Sequence, residues 1–483
     1  ISGSDFNSVI TKYVVNQMYP YYYAEFNTAD PLPTTGSEIV LFTIRELINT
    51  MSTPPQIHFS KKRTWSYDLP ISFLMQQGVE NPGVLSLAAG LVDQNSLPAA
   101  ITKQAFDKLF SDSKTAKEAL QYGTTAGSLV LRSLLLKHLA HLEQKSAEEL
   151  GITVDHVVVT TGSQQYLSLV GEVLLDPGDI CLVAAPTYFV FLGVLQGLGA
   201  RIISVETDEF GMRMDSLEAT LAMLEEQGQL NRVKMIYLVS DFENPSGVSL
   251  SLDRRKQVVE IARSWSREQR IFVLEDLAYR ELCYDGPVTP SIRSFDTTGE
   301  TVILTQTFSK SFSPGLRVGF GVAPDEVCAA IRDKKGNDDF GSTNLSQHIL
   351  ATALRENLYY DHVEYLRSVY REKRDCMLHA ADLYFSNTPD VHWVHPKGGL
   401  YVWMTLPERI ETGFDSPLFQ KAIHEDKVMY VPGELCYAAD SGRDANEQPS
   451  IQKNHMRLTF GVQNLAGIQE GIKRLSNAVK SSL

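Results

Sequence analysis

A chain of 483 residues is long enough for two or three packed units around sizeable cores, and its 43 % hydrophobic composition is that of a soluble globular protein. A net charge of -14 excludes a nucleic-acid or anionic-membrane surface as the main function, since both require a positive field. Five scattered cysteines without a CxxC pair read as reduced thiols in a cytoplasmic protein, and neither a membrane-spanning apolar run nor a signal-peptide pattern is found.

Residues 1–56 read as an N-terminal extension, rich in tyrosine and without clear periodicity, in which EIVLFTIRELINTM (38–51) has the pattern of an amphipathic helix. Lys61, Lys62 and Arg63 read as a solvated patch. From about 150 to 325, β-branched runs alternate with helical segments: HVVVTT, DICLVAA, RIISVET, VKMIYLVS, RIFVLED and TVILTQ, with SLEATLAMLEEQ and SLDRRKQVVEIARSW among the segments between them. Continuous apolar strands separated by helices predict an α/β fold around a mostly parallel sheet covered on both faces. Such sheets bind ligands at the carboxyl ends of their strands. Beyond about 350, a long charged helical segment, then VHWVHPKGGLYVWMTL and a terminal helix, read as a smaller α+β domain. His392 and His395 would fall on opposite faces of a strand with no carboxylate partner, so no metal site is expected.

The strand ends carry the chemistry. After HVVVTT come Gly162, Ser163, Gln164 and Gln165 and then an apolar helix. A strand, a glycine turn and a helix N-terminus can bind an anion through free N–H groups, although Ser163 as a plain N-cap fits the same letters. After RIFVL come Glu275, Asp276 and Tyr279, where an acid is more often a turn or cap residue. After VKMIYLVS comes DFENPSG (241–247), ordinarily a turn. The run TVIL leads into Thr307, Ser309, Lys310 and Ser311, with Arg317 seven residues after the lysine. Two cations so placed need an anion between them. A phosphorylated pyridine aldehyde would satisfy every one of these groups. Lys310 would bind it as a Schiff base, while Arg317, Ser309, Thr307 and the Ser163 turn would hold its phosphate. Asp276 would pair with the ring nitrogen, Asn244 and Tyr279 would donate to the phenolic oxygen, and Tyr188 would stack on the ring.

The motifs GSQQ (162–165), PTY (186–188), NPSG (244–247), EDLAY (275–279), SKSFSPGLRVG (309–319) and RLTFG (457–461) occur together and in order. On them the sequence resembles the class I/II aminotransferases of the fold-type I pyridoxal-phosphate enzymes, over roughly residues 57–480. It is nearest the branch containing kynurenine/2-aminoadipate aminotransferases. The resemblance implies a seven-stranded-type sheet in a large cofactor-binding domain, 116–345, and a smaller α+β domain built from 57–115 and 346–483. It makes Lys310 the cofactor lysine and proton carrier, Asp276 the partner of the ring nitrogen, and Asn244 and Tyr279 the ligands of the phenolic oxygen. Ser163, Gln164, Tyr188, Thr307, Ser309 and Arg317 complete the cofactor site. Arg457, assisted by Asn244, falls where the family binds the substrate α-carboxylate. Tyr122, in LQYGTTAG, matches a tyrosine that reaches the neighbouring subunit's cofactor phosphate, which implies a homodimer with shared sites.

The activity implied is ping-pong exchange of an amino group between an amino acid and a 2-oxo acid. One alternative is a lyase or synthase of the same fold. Another is a cofactor-sensing module like the aminotransferase-like half of certain bacterial regulators, which calls for a basic winged helix. The first 55 residues are not basic, and they are too short for that domain and a linker.

Overall fold

The structure, a computed structural model, describes residues 57–65, 73–74, 76–77, 80–81, 83–438 and 451–483. The segment 38–51 expected as an amphipathic helix lies outside the described residues, as does 439–450 of the polar loop before Arg457. The chain divides into two compact units, Ile1–Ser60 and Lys61–Leu483. The second unit opens on a short helix, Lys61–Trp65, whose three basic residues are exposed.

Fourteen strands are formed among the described residues: β1 (Leu85–Ser86), β2 (Val157–Thr160), β3 (Ile180–Ala185), β4 (Arg201–Asp208), β5 (Gly211–Met212), β6 (Val233–Val239), β7 (Phe272–Asp276), β8 (Val302–Thr307), β9 (Gly319–Val322), β10 (His392–Trp393), β11 (Tyr401–Thr405), β12 (Val428–Met429), β13 (Val431–Pro432) and β14 (His455–Thr459). Eight make the main sheet, in the order β2-β9-β8-β7-β6-β3-β4-β5. The pairings β3–β4, β3–β6, β6–β7 and β7–β8 are parallel. β9 is antiparallel to both β8 and β2, so β2 runs in the same sense as β8. The eighth strand is the two-residue β5, folded back on β4 at the edge; the other seven match the expected sheet.

Alternate residues of each inner strand feed different cores, which is why these runs are apolar throughout. In β3, Ile180, Leu182 and Ala184 join a cluster with Leu217, Leu221 and Val258 of the helices Met214–Glu226 and Leu252–Trp265. Cys181 and Val183 face the other way, into a cluster with Leu167, Val170, Phe191 and Leu195 of the helices Ser163–Leu174 and Phe189–Gly197. A third core lies where the helices Ala99–Phe110, Leu129–Glu143 and Asn344–Arg355 cover the β2, β9 and β8 side.

The smaller sheet, β10-β11-β14-β13, is antiparallel, and the 28-residue helix Leu358–Phe385 and the terminal helix Leu465–Lys480 share its core. β1 pairs in parallel with β12, which ties residues 85–86 to the C-terminal part of the chain.

Candidate active site

The carboxyl edge of the main sheet gathers most of the residues singled out by the sequence. Ser163 and Gln164 follow β2, Tyr188 follows β3, Asn244 follows β6, Asp276 ends β7 with Tyr279 three residues on, and Thr307 ends β8 just before Ser309 and Lys310. Arg457 comes from the other sheet, at the middle of β14 between Trp403 of β11 and Val431 of β13.

Ser163 is the first residue of its helix and not its cap. The cap is Gly162, at φ 76°, and no side chain covers the free N–H groups behind it. A Cβ at position 162 would stand 2.9 Å from Arg317 Nη2, so only glycine lets the guanidinium lie against this helix start. Arg317 is itself held in the left-handed region, at φ 52°, closing the short turn Pro314–Leu316. Its Nη2 donates to the Thr161 carbonyl at 3.3 Å and its Nη1 to that of Pro314 at 3.3 Å. Thr307 and Ser309 are buried and share a hydroxyl pair at 3.0 Å. Gln164 Oε1 is buried with no hydrogen-bond partner. A helix N-terminus, an arginine and two hydroxyls together offer the donors that a phosphate cradle needs, whereas the unpartnered Gln164 Oε1 is an acceptor and adds none.

Asp276 is 2 % exposed, and its carboxylate accepts from the Tyr237 hydroxyl at 3.2 Å and from the Ala278 N–H at 3.1 Å. Burial outweighs these two bonds and raises its pKa to about 7. A buried acid held so near neutrality gains a charge when a cation arrives beside it, which suits a protonated ring nitrogen.

Lys310 Nζ donates to the Gly90 carbonyl at 2.6 Å. Its pKa is lowered, first by burial and then by the charges of Arg457 and Arg317, against the effect of Tyr401. A lysine so depressed holds more of its free-amine form, the nucleophile a Schiff base needs. Arg457, 2 % exposed, donates through Nη1 to Asn244 Oδ1 at 2.8 Å and through Nη2 to the Ala88 carbonyl at 2.7 Å, while its Nε has no partner. Among the described residues, none of Lys310, Arg317 and Arg457 has a carboxylate within 4.0 Å. The site therefore holds three basic side chains without carboxylate partners among the described residues.

Tyr188 starts the helix Phe189–Gly197, and burial first, then Asp276 and Tyr401, push its hydroxyl pKa up. Tyr279 is buried and its hydroxyl lies 3.1 Å from that of Tyr401. Tyr122 stands apart. It is 83 % exposed, edge-on to Phe340 at 5.8 Å, and makes none of the contacts above. Four groups at the site are not anticipated from the sequence: Tyr401, Tyr237 and the carbonyls of Gly90 and Ala88. The spacing of Tyr237 six residues before Glu243 on an apolar strand marks only a core residue, and a carbonyl has no signature at all.

The aminotransferase class I and II family model matches residues 82–474. The chain belongs to that family. It is a pyridoxal-phosphate-dependent transaminase with fold-type I architecture, and the cradle, the near-neutral Asp276 and the depressed Lys310 fit that cofactor. An aromatic-amino-acid aminotransferase of Thermococcus litoralis is 33 % identical over 91 % of this chain and 98 % of its own length. A 2-aminoadipate transaminase of Thermus thermophilus is 33 % identical over 84 % of this chain and 92 % of its own. The crystal structure of a Pyrococcus horikoshii kynurenine aminotransferase, solved with the pyridoxamine form of the cofactor, superposes with a TM-score of 0.78 at 34 % identity, covering 88 % of this chain and 97 % of that one.

Proposed function

We propose that Lys310, Asp276, Asn244, Tyr279, Tyr188, Arg317, Ser163, Gln164, Thr307 and Ser309 form the cofactor site of this transaminase, and that Arg457 with Asn244 binds the substrate α-carboxylate. The observation that carries the reading is a set of three basic side chains without carboxylate partners among the described residues, the buried Arg457, the half-buried Lys310 and the exposed Arg317, with Lys310 under the influence of both arginines. Pyridoxal phosphate, when bound, supplies an aldehyde for the amino group and a ring that accepts the electron pair left at Cα. Asp276 keeps the ring nitrogen protonated. Asn244 and Tyr279 donate to the phenolic oxygen. Arg317 and the N–H groups at the start of the Ser163 helix hold the phosphate. Lys310 Nζ would be the base that takes the proton from the substrate Cα and would deliver it to the cofactor's C4′ carbon. Arg457 fixes which bond to Cα faces Lys310 by gripping the carboxylate through two N–H groups.

The division into a large body over 116–345 and a smaller one from 57–115 and 346–483 belongs to the same proposal, supported by the β1–β12 pairing. Homodimerisation with shared sites is supported by the exposed apolar surface that includes Leu120, Tyr122, Leu129 and Phe340. Five unpaired cysteines support a cytoplasmic location, and no helix among the described residues is long and apolar enough to cross a membrane. The donors to screen first are aromatic and 2-aminoadipate-like amino acids, after the names of the relatives.

The test is a single turnover with a good donor and no acceptor. One 2-oxo acid should be released per site, with conversion of the visible cofactor band. Catalytic release of ammonia under those conditions would overturn transamination in favour of elimination. Mixing inactive Lys310→Ala and Tyr122→Ala subunits should regenerate activity in heterodimers; a demonstrably mixed dimer that stays inactive removes the shared site alone.

A further inference from the structure

Tyr401 opens β11, opposite Thr459 of β14, and is 1 % exposed. Four groups of the site converge on it. Its ring lies under the Arg457 guanidinium, 4.4 Å from Cζ to the ring centroid. It meets the Tyr279 ring edge to face at 5.6 Å, with the two hydroxyls 3.1 Å apart. A Cβ on residue 90 would stand 2.8 Å from its hydroxyl, so the glycine there leaves room for the oxygen, and the same glycine's carbonyl receives Lys310 Nζ. A phenylalanine would fill this place and keep the cation over its ring. The hydroxyl needs its own explanation, because a buried hydroxyl is costly unless it is bonded. Among the described residues Tyr279 is its sole hydrogen-bond partner, and it is the sole partner of the Tyr279 hydroxyl.

We propose that Tyr401 is a positioning residue of this transaminase: its hydroxyl donates to that of Tyr279, which frees the Tyr279 proton for the cofactor's ring oxygen, while its ring supports Arg457. The direction follows from counting protons. Each phenol carries one O–H. If Tyr279 donates to the ring oxygen, as the proposed function has it and on which this inference rests, the proton between the two tyrosines can come only from Tyr401. A hydroxyl that accepts a hydrogen bond is polarised into a better donor, so Tyr401 acts on the cofactor through Tyr279 without touching it. The charged or titratable groups around the pair are Arg457 from β14, Lys310 after β8 and Tyr188 at its helix start. None of the three bonds to either tyrosine hydroxyl, which leaves the pair to each other.

The test compares Tyr401→Phe, Tyr279→Phe and the double variant as holoenzymes. The readouts are the pH midpoint of the bound cofactor's visible spectral change, the cofactor Kd, and KM separately from kcat. Loss of one neutral hydrogen bond corresponds to roughly a 2- to 10-fold change in the affinity it supports. Tyr401→Phe should therefore move the pH midpoint in the direction taken by Tyr279→Phe, by up to about 10-fold in proton affinity. Donor KM should stay within about twofold of the parent, because the ring beneath Arg457 remains. The double variant should match Tyr279→Phe alone. A midpoint moved by Tyr279→Phe and untouched by Tyr401→Phe would overturn the proposal, as would equal shifts from Tyr401→Phe in both backgrounds. A Tyr279→Phe variant with an unmoved midpoint would overturn the underlying assignment of Tyr279 instead.

Discussion

The two residues of β7's last dipeptide treat charge in opposite ways. Glu275 is enclosed: it accepts from Ser240 Oγ at 2.7 Å, from the Ile292 N–H at 2.8 Å and from the Arg293 N–H at 3.2 Å. On that side Arg255, fully buried, meets Asp241 at 2.6 Å and the carbonyls of Leu250, Ser240 and Pro290. Arg280 is paired with Glu143 there as well. One residue further on, Asp276 has only a phenol and one N–H, and Arg457, Arg317 and Lys310 have no carboxylate at all among the described residues. Two neighbouring regions thus differ in what completes them. The first is completed by the chain. The second, on the function proposed above, is left for ligands to complete, which is how a folded protein stores affinity for an anion.

The difference can be broken by substitution. Lys310→Ala should abolish the visible band of lysine-bound cofactor and lower turnover by at least about 10⁴-fold, while the cofactor-free protein keeps its denaturation midpoint. A borohydride-reducible lysine adduct surviving in that variant would place the reactive lysine elsewhere. On the paired side, Arg255→Ala should cost about 3 to 5 kcal/mol in chemical denaturation, because it strands the Asp241 carboxylate in the interior. Arg457→Lys should raise KM for every donor and every oxo-acid acceptor alike, by roughly 10- to 150-fold, through loss of about 1.5 to 3 kcal/mol of two-pronged carboxylate binding. An effect confined to one substrate would tie Arg457 to a side chain of that substrate.

A change with opposite signs in stability and turnover tests Asp276. Burial raises its pKa from 3.8 to about 7, so the native cofactor-free protein resists ionisation that the unfolded chain accepts. Stability is unaffected by this group below about pH 4 and falls as pH rises from there to about 7. Asp276→Asn removes that loss. Its cofactor-free form should gain about 2 to 4 kcal/mol on the parent between pH 4 and pH 8, even as its holoenzyme turns over poorly. A stability difference that does not vary with pH would mean that Asp276 is already paired.

Much of this second region was legible in advance because its residues sit where long apolar runs stop. VKMIYLV, FVLED and VILTQT are buried on both faces, so each is a single unambiguous run, and the polar residue that breaks it marks the sheet edge. Arg457 was readable from its motif. Tyr401 was not, since Tyr401, Val402, Trp403 and Met404 are all buried and no alternation tells which of them faces the site. The two-residue strands β1, β5, β12 and β13 were equally silent, because pairing across the chain and not local pattern defines them. The Gly90 and Ala88 carbonyls carry no side-chain signal.

Those two carbonyls also bear on how the molecule assembles. Lys310 to Gly90 spans 220 residues of sequence, and Arg457 to Ala88 spans 369. Contacts that distant form only after the loops between them have closed, and parallel strand pairing is already slow to nucleate. An intermediate in which residues 88–90 have not yet met both Lys310 and Arg457 lacks the finished pocket. Cofactor present during refolding would capture the finished chain by mass action, and recovery of its visible band would time completion of the fold and not merely the return of helix and strand.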